Sequence, residues 1–99
     1  MGFKTIADVR AANAAIGNNW FSRSTMRFWK TRIESSLIGG RWFITSEDEW
    51  ALDGRKPARI YCVREANADG SIKTIQSHLR SKDDAKELIQ DLKKEVVHA

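Results

Sequence analysis

Arg59-Ile60-Tyr61-Cys62-Val63-Arg64 and Ser71-Ile72-Lys73-Thr74-Ile75-Gln76 are the stretches that decide the fold, with Asp69-Gly70 at the end of the polar segment between them. Both runs are rich in β-branched and aromatic residues, which suit a pleated, half-buried surface, and Asp-Gly supplies a turn. They predict an antiparallel hairpin. The next pattern has the helical period. It opens at Ser81, carries Asp83 and Asp84 in its first turn where they favour the helix dipole, and aligns Ala85, Leu88, Ile89, Leu92 and Val96 on one face. A hairpin followed by such a helix predicts a sheet with a helical cover.

Toward the N-terminus the same logic adds a second hairpin. Ile33, Ser35 and Leu37 alternate with Arg32, Glu34 and Ser36, and Gly39-Gly40 stands before Arg41-Trp42-Phe43-Ile44-Thr45. A Gly-Gly pair adopts the positive φ angles of a tight turn without steric cost. Ser46-Glu47-Asp48-Glu49 reads as a capping-box-like start, so a helical turn in a longer loop is expected there, closed by Asp53-Gly54 and Pro57. Thr5-Ile6-Ala7-Asp8 predicts a capping box and a helix over 6–15, which Gly17 and two asparagines stop. Ser22 to Thr25 offers a further cap for a short helix over 24–30. The expected class is α+β: about four antiparallel strands in two hairpins, a covering C-terminal helix, an N-terminal helix and a short second helix. The N-terminal helix has two open placements, beside the C-terminal helix or at a sheet edge.

The bulk properties bound the function classes. A chain of 99 residues, 41% hydrophobic and 30% charged, has the length and composition of one globular domain, expected over 1–99. It shows neither a bilayer-length apolar run nor the apolar region of a secretory signal, so a cytoplasmic location without membrane association is expected. One cysteine, Cys62, with His78 and His98 does not match a zinc-site spacing, and neither a nucleophile elbow nor a phosphate-binding glycine loop occurs. The sequence therefore predicts a non-enzymatic chain without a cofactor, a metal or catalytic residues.

Charge is distributed in blocks. Arg23, Arg27, Lys30, Arg32 and Arg41 interleave with Phe28, Trp29, Trp42 and Phe43; Glu47, Asp48, Glu49 and Asp53 follow; Arg55, Lys56, Arg59 and Arg64 come next. Two readings result. Glu47, Asp48, Glu49, Trp50, Arg55 and Lys56 are the candidates for a protein-binding surface, since tryptophan and arginine carry interface energy and opposed charge blocks fix orientation. Arg23, Arg27, Lys30, Arg32 and Arg41 are the candidates for nucleic acid, with arginines on phosphates and rings on bases. Basic groups converging on one face favour nucleic acid, whereas separated patches around an exposed tryptophan favour protein. A homodimer through an uncovered sheet face or an edge strand is a further reading.

The stretches Asn19-Trp20-Phe21-Ser22, Thr25-Met26-Arg27-Phe28-Trp29, Gly40-Arg41-Trp42-Phe43-Ile44-Thr45-Ser46-Glu47 and Tyr61-Cys62-Val63-Arg64 resemble a family of short uncharacterised proteins carried by bacteriophages, prophages and plasmids. The resemblance implies a bacterial host cell. It also implies a role as an inhibitor or modulator of a host or defence complex, of the anti-CRISPR or anti-restriction kind. It brings no functional residues with it.

Overall fold

A computed structural model of the chain describes residues 2–49 and 58–98, with side chains through Glu95. Its first element, α1 (Ile6–Ala15), begins with the expected capping box: the Thr5 side chain accepts from the Asp8 amide and the Asp8 carboxylate accepts from the Thr5 amide. The Asn18 amide donates to the Asn13 carbonyl and that of Gly17 to Ala14, the paired bonds of a Schellman stop. Helix α2 (Arg23–Phe28) is capped by Ser22 and ends the same way, with the Thr31 amide bonded to the Met26 carbonyl and that of Lys30 to Arg27. Here Lys30 takes the position that glycine holds in α1, at φ 52°.

Strands β1 (Arg32–Ile33), β2 (Trp42–Asp48), β3 (Arg59–Ala66) and β4 (Ile72–Leu79) form one antiparallel sheet in chain order. The expected four strands are present, with changes of extent: β3 runs on from Arg64 to Ala66 and β4 from Gln76 to Leu79. Strand β1 is shorter than the alternation of residues 32–37 predicts, because the Ser35 hydroxyl accepts the Ile44 amide 3.0 Å away and so takes up a ladder donor. Strand β2 runs through Ser46, Glu47 and Asp48, where a helical turn was expected. Register explains that difference: Ser46, Glu47 and Asp48 pair with Tyr61, Ile60 and Arg59 of β3, an arrangement no local pattern reveals.

Alternation along β2 and β3 gives the sheet two unlike faces. One presents Trp42, Ile44 and Val63 to Ala85 and Ile89 of α3 (Lys82–His98), with Leu79, Leu88 and Leu92 packed around them. Burying a side chain such as Ile89 stabilises the fold by about 1.5–3 kcal/mol. The other face presents Phe43, which is fully buried beneath Trp20 and Phe21 at ring separations of 5.9 Å and 6.1 Å. The sheet is thus covered on both faces, where one covering helix was expected.

Helix α1 is held at the β3–β4 turn. Asn13, 1% exposed, donates from Nδ2 to the Gly70 carbonyl at 2.9 Å and accepts from the Trp20 amide at 2.9 Å. At Gly70 the approach is so close that a Cβ would lie 2.6 Å from the Ala12 carbonyl carbon, and φ is +96°. Only glycine suits that site.

Candidate functional site: a basic groove beside an aromatic cleft

Helix α2 and the turn after it carry a concentration of cations. Arg23, Arg27, Lys30 and Arg32, all exposed, line one groove of about 380 Å³ with Met26 and Thr31. The left-handed backbone at Lys30 turns the chain sharply from α2 into β1, which brings Arg32 round to the side of Arg23 and Arg27. Phe28, 69% exposed, and Trp29, 40% exposed, stand on the same short segment in edge contact with each other, ring centroids 4.7 Å apart. Lys30 also lies 3.8 Å from the Asp48 carboxylate.

A second depression, of about 360 Å³, shares Met26 and Thr31 with that groove and reaches the sheet. Its floor is Glu47 of β2 and Arg64 of β3; Trp20, Thr25 and Trp29 complete its lining. Arg64 is 8% exposed and fully engaged. Its Nε donates to Thr45 Oγ1 at 3.1 Å, its Nη1 donates to Thr74 Oγ1, its Nη2 lies 3.6 Å from Glu47, and its guanidinium sits 5.4 Å from the Trp20 ring centroid. A buried arginine persists only when its donors are satisfied in this way. Arg64 thereby ties β2, β3 and β4 together and holds the Glu47 carboxylate at the cleft floor.

Cys62 lies beside this pair, its Sγ 3.8 Å from Glu47 Oε1. Burial pushes its thiol up, with the Glu47 carboxylate adding to the effect and Arg64 opposing it. The sulfur stays protonated at neutral pH, which is the opposite of an activated nucleophile. Among the described residues, no group of three or more His, Cys, Asp or Glu is arranged to hold a metal ion. No helix among them is long and apolar enough to cross a membrane.

Of the six candidates for protein binding, Glu47, Asp48 and Glu49 lie among the described residues. Glu47 points into the cleft. Asp48 is clamped by Arg59 Nη1 at 3.0 Å, and Arg59 also donates to the Ser46 hydroxyl and carbonyl. Glu49 is half-buried, its amide bonded to the Ala58 carbonyl. Trp50, Arg55 and Lys56 lie outside the described residues. Of the five nucleic-acid candidates, Arg23, Arg27, Lys30 and Arg32 come together. Arg41 does not: it pairs with Glu65 and lies over the Trp42 ring at the far end of β2. Sequence reasoning missed the importance of Arg64, Trp20 and Trp29 as one constellation. The signal lay in the opposite charges of Glu47 and Arg64, and it becomes readable only once β2 and β3 are in register.

The chain belongs to a family of unknown function, DUF7447, whose model matches residues 5–90. No curated protein and no solved structure matches it.

Proposed function

We propose that this member of a family without an assigned activity is a non-enzymatic domain that binds nucleic acid through the α2 groove. The observation that supports this most directly is the convergence of Arg23, Arg27, Lys30 and Arg32 beside exposed Phe28 and Trp29. Cations spaced along one groove suit a phosphate backbone, and neighbouring rings suit unpaired bases, whose π-faces stack irrespective of sequence. Two carboxylates of the acidic block do not oppose the approach, because Asp48 is neutralised by Arg59 and Lys30, and Glu47 faces Arg64.

Fluorescence anisotropy with labelled single- and double-stranded DNA and RNA tests the proposal. Binding at low salt is expected, and the double variant Arg23→Ser/Arg27→Ser should weaken it at least about tenfold, since each lost phosphate contact also forfeits counterion release. No binding to any of the four probes at low salt refutes it.

The exposed Phe28–Trp29 pair supports a second reading, a protein-binding modulator of a bacterial host or defence complex encoded on a mobile element. Affinity capture from bacterial lysate with and without nuclease separates the two. A stoichiometric protein partner retained after nuclease favours this second reading.

A further inference from the structure

We propose that the cleft over Glu47 and Arg64 receives one unpaired guanine base, held by the Glu47 carboxylate while the flanking phosphates lie in the adjoining α2 groove. The inference rests on the nucleic-acid reading and deepens it by assigning a base preference. Three observations carry it.

The first is continuity. The cleft and the basic groove share Met26 and Thr31, so a strand whose phosphates follow Arg23, Arg27 and Arg32 passes the cleft mouth. The second is size and lining. At about 360 Å³ the cleft lies near the lower end of small-ligand sites, which run from about 300 to 1,000 Å³, and it suits a single ring system rather than a larger ligand. Trp20 and Trp29 give the cleft aromatic walls.

The third is the chemistry of the floor. Glu47 is an acceptor-only group with about four lone-pair sites. Its side-chain contacts among the described residues are long, 3.6 Å to Arg64 and 3.8 Å to Cys62, so these orient it and leave lone pairs over. Guanine places two donors side by side, N1–H and the N2 amino group, and a carboxylate accepts both in parallel. The Watson–Crick edges of adenine, cytosine and uracil or thymine each carry a single donor group beside an acceptor, so none offers a carboxylate two adjacent donors. Arg64 does not contact the base in this arrangement. It is a positioning residue that holds the carboxylate and neutralises its charge when a polyanion approaches.

The test compares short single-stranded oligothymidylates carrying one central guanine, inosine, adenine or cytosine, with matching oligouridylates for RNA. Guanine should bind at least about fivefold tighter than the all-thymine strand, and inosine, which lacks the N2 amino group, should lose most of that gain. This comparison uses the unmutated chain and does not depend on a variant folding. Glu47→Gln should bring the guanine-to-thymine affinity ratio close to one, with thermal unfolding measured alongside to show that the fold is kept. Equal binding of all strands, or a guanine preference that survives Glu47→Gln, overturns the base assignment while leaving the groove reading intact. Failure of every single strand while a duplex still binds overturns the base assignment alone, and failure of single strands and duplexes alike overturns both.

Discussion

Lys30 is a lysine where the helix-ending geometry of α2 favours glycine. Its φ of 52° costs an L-residue roughly 1–2 kcal/mol, and local strain of this kind tends to be kept where it serves a site. Here it sets a cation beside the groove. Lys30→Gly should raise stability by about 0.5–1 kcal/mol, the relief being partly offset by the greater freedom of glycine in the unfolded chain, while weakening oligonucleotide binding. Urea unfolding and anisotropy on the same variant check both halves; a loss of stability would show that the side chain is held for packing instead. Cys62 and Arg64 make the complementary point about burial. Both were visible in the sequence as a mid-strand thiol and one of a block of cations, but neither a hydropathy pattern nor a charge count distinguishes an arginine facing solvent from one bonded to two threonines and a glutamate.

Among the elements, α3 was the most legible, because a 3.6-residue apolar stripe with a Ser81 cap and acidic first turn has one consistent reading. The capping box of α1 and its Schellman stop were equally local and equally readable. What local signals cannot supply is the partner across a sheet. The segment Ser46-Glu47-Asp48-Glu49 satisfies the composition of a helix start, and its extension of β2 depends on Arg59, Ile60 and Tyr61 standing opposite. The seating of α1 is non-local for the same reason, since it hangs on Asn13 reaching Gly70. Asn13→Leu removes the side-chain partner of the Gly70 carbonyl and of the Trp20 amide and should cost about 2–6 kcal/mol, each orphaned group contributing about 1–3. Chemical denaturation reads the loss. A change below about 0.5 kcal/mol would mean that α1 is held mainly by Val9.

For the molecule as a whole, the described residues gather one cluster of cations at α2 and the turn after it. Arg41, Arg59 and Arg64 are each paired with a carboxylate, while Arg23, Arg27 and Arg32 crowd one groove where, among the described residues, the nearby ion pair is Lys30–Asp48. A formal net charge of +4 therefore understates the local field that an approaching strand meets. If four phosphates are neutralised there, the logarithm of single-strand affinity should fall with the logarithm of salt concentration at a slope of about −3. A titration from low to physiological salt measures it, and a slope near zero would point to a contact dominated by Phe28 and Trp29.

The stack of Arg64 on Trp20 gives the protein its own optical reporter. An indole with a guanidinium 5.4 Å from its centroid has its emission set by that charge, and the same guanidinium is bonded to β2 and β4 and poised beside Glu47. Any occupant of the cleft that Trp20 lines meets this indole or shifts the charges of Glu47 and Arg64 beside it. Occupancy of the cleft is thereby written into intrinsic fluorescence, and the unlabelled chain can report on its own ligand.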